Sequence, residues 1–289
     1  MKREIKYLLF AASVFTCAHA DILHDWTFNE TNGTLMPAVS DDGTLTDVAW
    51  SANINGADVQ GNAYDIRRNG TGTNQSYANI VDISSGQIWI GMDLFWSFEG
   101  GSTGENVKIG VATANFSTGG TELAAVQLTG TRDGNRTTTL TGYANEVAPG
   151  ADIPGLVIET GPSSDVGGSN GTYNFVLGVD LDNDTYDIWY RKDFTGAYTQ
   201  LGTTTATGDG VIRSLYVDVN GTMTSNPTEN FSIDRIFITD VNPIPEPSTF
   251  ALVGLTGLAA LFAVANTSMT CNAPAVIGRG LFYALKCLP

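Results

Sequence analysis

The stretch Ile88-Trp89-Ile90-Gly91-Met92-Asp93-Leu94-Phe95-Trp96-Ser97-Phe98 decides the fold. Ile88, Ile90, Met92, Leu94, Trp96 and Phe98 recur at every second position, with Trp89, Gly91, Asp93, Phe95 and Ser97 between them. A period of two belongs to a β-strand, whose side chains point alternately to opposite faces, so one face of this strand is apolar and must be covered. Outward from it, Tyr173, Phe175, Leu177 and Val179 repeat the pattern, as do Val211, Arg213, Leu215, Val217 and Val219. The segment Phe231-Ser-Ile-Asp-Arg-Ile-Phe-Ile-Thr239 reads as a further strand, and Gly- and Asn-rich stretches over 69–74, 100–104 and 161–171 separate the runs. No part of 21–242 carries a helical period. The pattern predicts an all-β antiparallel sandwich, with jelly-roll and immunoglobulin-like connectivities both open to it.

Composition agrees. Only 15% of the 289 residues are charged, against about 25% in an average soluble domain. Polarity comes instead from Gly, Thr, Asn and Ser. The 14 Lys and Arg face 30 Asp and Glu, a formal net charge of -16. That excludes a nucleic-acid binder, which needs a basic surface to neutralise phosphate. With 42% hydrophobic residues the chain can bury a core, which argues against wholesale disorder.

The ends differ from the body. Residues 1–20 read as a secretory signal peptide: Lys2, Arg3 and Lys6 make a positive start, Tyr7 to Phe15 an apolar stretch, and Ala18-His19-Ala20 a small-residue cleavage site, with Ala18 and Ala20 at the critical positions before Asp21. Near the other end Pro247 to Gly278 carries no charge, and its centre, Phe250 to Ala265, is continuously apolar apart from Thr256 and two glycines. With its flanks this is long enough for one transmembrane helix. Pro245-Glu246-Pro247, followed by Ser-Thr-Phe-Ala-Leu and that helix, resembles the PEP-CTERM sorting signal of Gram-negative bacteria. The resemblance implies recognition of Pro245, Glu246 and Pro247 by a membrane-embedded exosortase-type processing enzyme. It also implies an inner-membrane anchored precursor that is later delivered to the cell surface or extracellular matrix. The prolines keep the tripeptide out of helix and sheet pairing and hence accessible. One departure stands out: the family has an Arg-rich cluster directly after the helix, whereas the tail here, 269–289, has only Arg279 and Lys286. The domain boundaries are therefore signal peptide 1–20, β-sandwich 21–242, sorting signal with transmembrane helix 243–268 and an atypical tail 269–289.

Cys17, Cys271 and Cys287 all lie outside 21–242, so no disulfide framework is expected in the body. Five of the bases and two of the acids, Glu4 and Glu246, are also outside it. The body thus carries 14 − 5 = 9 bases against 30 − 2 = 28 acids. Such acidity disfavours polyanionic partners and leaves a neutral exopolysaccharide as the better expectation.

The order of strands resembles the concanavalin-A-like (laminin-G-like) jelly rolls. The resemblance rests on the opening strand Leu23-His-Asp-Trp-Thr-Phe-Asn29, the hairpin Phe175-Val-Leu-Gly-Val-Asp-Leu-Asp-Asn-Asp-Thr-Tyr-Asp-Ile-Trp-Tyr190 and the closing strand Ile233-Asp-Arg-Ile-Phe-Ile238. It implies that the first and last strands lie together.

Chemistry is sparse. One histidine, His24, and no cysteine fall in 21–242, which leaves no Ser-His-Asp or Cys-His machinery and no Cys/His zinc site. Glycoside hydrolysis needs two carboxylates about 5–9 Å apart, yet the glutamates at 30, 99, 105, 122, 146, 159 and 229 form no strand motif. No catalytic residue is assigned and a non-enzyme is expected; a jelly-roll glycoside hydrolase or lyase is the alternative. Asp180, Asp182 and Asp184 invite a calcium reading, but Thr185 and Arg191 stand where an EF-hand loop has Gly and Glu, so a hairpin turn is the better reading. A structural calcium using carboxylates at strand ends, such as Asp25 and Asp234, is open to this fold class but nothing in the sequence supports it; no other cofactor is expected. The remaining candidates are aromatic. Trp89 and Phe95 alternate with the apolar stripe of 88–98, and Trp189 alternates with Ile188 and Tyr190. Exposed on a sheet face, these rings could stack on sugar rings while Asp93, Asp187 and Arg191 bond hydroxyls. Ordinary packing is the competing reading, because Trp is usually buried.

Overall fold

The computed structural model describes residues 21–36, 39, 42–45, 48–66, 75–98, 105–114, 121–133, 135–144, 152–161, 169–205, 210–220 and 230–244. The signal peptide, Pro245-Glu246-Pro247, the transmembrane segment and the tail lie outside the described residues, as do 69–74 and 100–104. Among the described residues no helix is long and apolar enough to cross a membrane.

The described chain is almost entirely strand. The strands are β1 (Ile22–Trp26), β2 (Trp50–Ser51), β3 (Ala57–Gln60), β4 (Ala63–Ile66), β5 (Gln75–Ile83), β6 (Gln87–Phe98), β7 (Glu105–Ala112) and β8 (Glu122–Asp133). They continue with β9 (Asn135–Ala144), β10 (Ile153–Gly161), β11 (Ser169–Asp180), β12 (Thr185–Lys192), β13 (Thr199–Thr205), β14 (Ile212–Asn220) and β15 (Asn230–Thr239). Two antiparallel sheets result. The eight-stranded sheet runs β13-β12-β11-β6-β15-β4-β3, with β1 also on β15, and the seven-stranded sheet runs β10-β9-β8-β7-β14-β5-β2. First and last strands pair, Ile22 with Thr239 and Trp26 with Ile236, as the jelly-roll resemblance implies.

The alternation is the cause of the sandwich. Ile88, Ile90, Met92, Leu94 and Trp96 of β6 and Tyr173, Phe175, Leu177 and Val179 of β11 are all at most 4% exposed. They meet Val107, Ile109 and Val111 of β7, Val126 and Leu128 of β8, and Leu215, Val217 and Val219 of β14 in one core. Within it Trp96 Nε1 donates to Thr138 Oγ1 at 2.9 Å, linking β6 of one sheet to β9 of the other. A small apolar cavity between Met92, Leu94, Val107, Val126, Phe175 and Phe231 belongs to this core.

Strands β14 and β15 are among those that depart from a regular register. In β14 the expected stripe included Val211 and Arg213. Instead the register shifts between Ile212 and Ser214, Ile212 is buried, and Arg213 faces out, donating through Nε to Asp82 at 3.1 Å and through Nη1 to the Thr113 carbonyl at 2.8 Å. In β15 the register shifts between Ile233 and Arg235, so Asp234 is the extra residue of a bulge. Phe231, Ile233, Ile236 and Ile238 all reach the core in consequence, and Arg235 is swung to the outer face, opposite Asp93.

Candidate functional site

Strand register places four rows of side chains across the outer face of the eight-stranded sheet. Neighbouring strands lie about 4.8 Å apart and successive rows about 6.8 Å apart. One row is polar: Arg191 (β12), Asn174 (β11), Asp93 (β6) and Arg235 (β15) are successive partners. On one side of it lies the row Trp189, Val176, Gly91 and Phe237, and beyond that Asp187, Gly178, Trp89 and Thr239. On the other side lie Thr172, Phe95 and Ser232.

Hydrogen bonds join the polar row from Arg191 to Asp93, and charge alone couples Asp93 to Arg235. Arg191 Nε donates to Asn174 Oδ1 at 2.6 Å, and Asn174 Nδ2 donates to Asp93. At its far end Arg235 grips Asp25 of β1 with two bonds, Nε to Oδ1 at 2.7 Å and Nη2 to Oδ2 at 2.6 Å. Both guanidinium groups lie over rings, Arg191 over Tyr198 and Arg235 over Phe237, each 4.6 Å from the centroid. Such cation–π stacking fixes a planar group without consuming its in-plane donors.

Charge on this face is tuned by burial. Burial pushes the Asp93 carboxyl above its ordinary range, while the Asn174 bond and the charges of Arg235 and Arg191 pull it back. Asp187 is raised by burial and partly restored by the bond from Trp189. Asp234, on the bulge, is raised by burial and by the nearby Asp93. The Asp25 bonds raise the Arg235 guanidinium further, and burial raises the Tyr198 phenol against the pull of Arg191.

All six aromatic and polar candidates therefore fall on one face, but they are not alike. Trp189 and Phe95 are half-buried, as are Asp93, Asp187 and Arg191. Trp189 is held by its Nε1, which donates to Asp187 Oδ2 at 3.2 Å. Trp89 corrects the expectation of an exposed ring: it is 4% exposed. Its six-membered ring packs against Gly178 on the neighbouring strand, 2.6 Å from where a Cβ would stand, so it fills the face instead of projecting from it. Asn174, Arg235, Phe237 and Tyr198 complete the site without having been singled out. For Arg235 the signal was present: Ile233-Asp-Arg-Ile236 breaks the alternation, and a bulge is the local repair.

The aspartates 180, 182 and 184 build a turn between β11 and β12. Asp180 Oδ1 accepts from the backbone N–H groups of Asp182 and Asn183 at 3.1 and 3.0 Å, and its Oδ2 from Asn183 Nδ2 at 2.9 Å. The Asn183 bond lowers the Asp180 carboxyl. Asp182 Oδ1 caps the N–H of Gly86 at 3.0 Å, and Asp184 takes a left-handed φ of 52°. Asp25 is committed to Arg235. Among the described residues no group of three or more His, Cys, Asp or Glu is arranged to hold a metal ion.

No family model matches the chain, and no curated protein matches its sequence. Solved structures do. The chain is similar to the CBM2 module of the Lactobacillus casei BL23 phage J-1 evolved Dit, with a TM-score of 0.53 at 11% identity over 77% of this chain and 97% of that one. Similarity extends to the metal-free carbohydrate recognition domain of Emp46p (TM-score 0.45, 14% identity, 75% and 99% of the two chains). It also extends to a legume lectin-like domain from Entamoeba histolytica (TM-score 0.43, 9% identity, 68% and 90%). The first of these establishes the fold class, an antiparallel β-sandwich consistent with a jelly roll; at such identities the likeness is one of fold alone.

Proposed function

We propose that this is an exported cell-surface or extracellular-matrix protein that binds polysaccharide on the outer face of its eight-stranded sheet, without catalysis. The observation that carries the reading is the juxtaposition of a half-buried, pinned Trp189 with the polar network through Arg191, Asn174 and Asp93 one row away. A ring to stack on a sugar and donors and acceptors about 7 Å from it are what a pyranose needs. The likeness of fold to the CBM2 module, at a TM-score of 0.53, is compatible with the reading. In the same proposal the signal peptide exports the chain, and Pro245-Glu246-Pro247 is recognised by an exosortase-type enzyme.

The direct test is a glycan array probed with the full-length protein and with Trp189→Ala. We expect the variant to lose about twofold to tenfold in affinity, since ring stacking contributes about 0.5–1.5 kcal/mol. Undiminished binding by Trp189→Ala would remove the platform. Replacing Pro245, Glu246 and Pro247 by Ala should leave the protein in the inner membrane, and unchanged release would contradict the sorting reading. The second reading, a glycan-cleaving enzyme, is favoured by the raised carboxyls of Asp93 and Asp234 near each other on one face. Release of reducing or unsaturated ends from any glycan on the array would establish it.

A further inference from the structure

Among the described residues the cations on and beside the outer face of the eight-stranded sheet are each paired with a carboxylate, with one exception. Arg235 is bidentate on Asp25, and Lys192 at the neighbouring edge is paired with Glu159. Arg191 has no carboxylate within ion-pair distance among the described residues. Its Nε is taken by the neutral Oδ1 of Asn174, which stands between it and Asp93. Tyr198 lies against the flat of the guanidinium. The fork has five N–H donors, and among the described residues only its Nε has an acceptor. A half-buried guanidinium, oriented by a hydrogen bond on one edge and a ring on one face, is the arrangement that takes a carboxylate through two parallel bonds.

We propose that Arg191 is the specificity element of this face and seats the carboxylate of a uronic acid residue, while Trp189 stacks on that residue or its neighbour along β12. The inference rests on the polysaccharide-binding reading and narrows it. Trp189 and Arg191 are i and i+2 on the same strand face, about 6.8 Å apart, which matches one sugar ring beside its own carboxyl substituent. A body with 9 bases against 28 acids repels a polymer charged on every residue. One carboxylate in an otherwise neutral repeat faces a single dedicated cation and little repulsion. Asp187 lies a further row away, beyond Trp189, and Asp93 is screened by Asn174.

The test uses the full-length protein and two probes. One is a neutral β-linked gluco-oligosaccharide bearing one glucuronate; the other is the same oligosaccharide after carboxyl reduction. We expect the uronate form to bind about tenfold or more tightly, the worth of a charge-assisted bidentate contact. The preference should shrink as salt rises from 50 to 500 mM. Arg191→Gln should abolish the preference, bringing affinity for the uronate probe down to that of the same variant for the reduced probe. Arg191→Lys, which keeps charge but loses the fork, should fall between. Equal affinity of the wild type for both probes, or a preference that survives Arg191→Gln, overturns the uronate seat alone. Failure of the wild type to bind either probe, or any glycan on the array, overturns the reading of the face and the seat with it. Thermal melts of each variant show whether a loss is one of folding.

Discussion

The two sheets present outer faces that handle polar groups in opposite ways. On the seven-stranded sheet Lys108, Glu122, Tyr143 and Tyr216 close on one another. Lys108 Nζ lies 3.1 Å from Glu122 Oε2 and 4.2 Å from the Tyr143 ring centroid, and the fully buried Tyr216 donates to the same carboxylate. Ala112, Ala125 and Tyr216 form a small second core there, with Tyr77 and Tyr143 against it. Cation, anion and aromatic ring all find partners within the protein. On the eight-stranded sheet the network runs in a line across five strands and stops at Arg191 with donors to spare.

The largest effect should come from breaking the closed cluster. Glu122 is 6% exposed, and Glu122→Ala strands a cation and a buried phenol, which should cost about 3 kcal/mol in chemical denaturation. Glycan affinity should stay unchanged; its loss in a folded variant would collapse the contrast between the faces. Next is Gly91→Ala, where the added Cβ would stand 2.0 Å from a ring carbon of Phe237. Overpacking of this kind should destabilise by about 2 kcal/mol. The double variant Gly91→Ala/Phe237→Ala should be less unstable than the sum of the two single changes, and strict additivity would show that the ring does not press on Gly91. Arg235→Ala should cost less, about 1 kcal/mol, because its bidentate pair with Asp25 is partly solvent-exposed, with side-chain exposures of 34% and 14%.

The smallest effect is a pH dependence. Burial raises the Asp93 carboxyl in the folded state above its ordinary 3.8. Between that value and the raised one the folded chain holds more protons than the unfolded one, so Asp93 subtracts stability as pH rises through the window. Asp93→Asn should therefore flatten the decline of stability from about pH 4 upward, read from denaturation midpoints. A steeper decline in the variant would reverse the sign.

Much of this was legible from side-chain period. The strands β6, β11 and β15 announce themselves by runs of large apolar residues at inward positions, and β1 and β12 follow from the jelly-roll resemblance. Strand β9 is harder, since Arg-Thr-Thr-Thr-Leu-Thr-Gly-Tyr over 136–143 has one large apolar inward residue, Leu140. At inward Gly142 the space is filled from the other sheet, with Ile188 Cδ1 reaching 2.5 Å from where a Cβ would be. A strand that receives side chains instead of supplying them leaves little trace in its own sequence. The site was half visible for a related reason. Alternation put Trp189, Phe95, Asp93, Asp187 and Arg191 opposite the core stripes, but which strands are neighbours follows from topology, so Asn174 and Arg235 could not be set beside Asp93. Exposure was hidden too: Trp89 and Trp189 share a face, and only a glycine on the adjacent strand buries one of them.

The place of β15 has a mechanical consequence. It is the last strand of the body, yet it lies inside the sheet, bonded along its length to β6 on one side and to β4 and then β1 on the other. Tension entering the chain beyond Thr239 acts along this strand, and the ladder bonds lie across it. They are loaded together in shear and not opened one after another from an edge. A chain held at its C-terminal end while a polymer drags on its sheet face would therefore resist as a clamp.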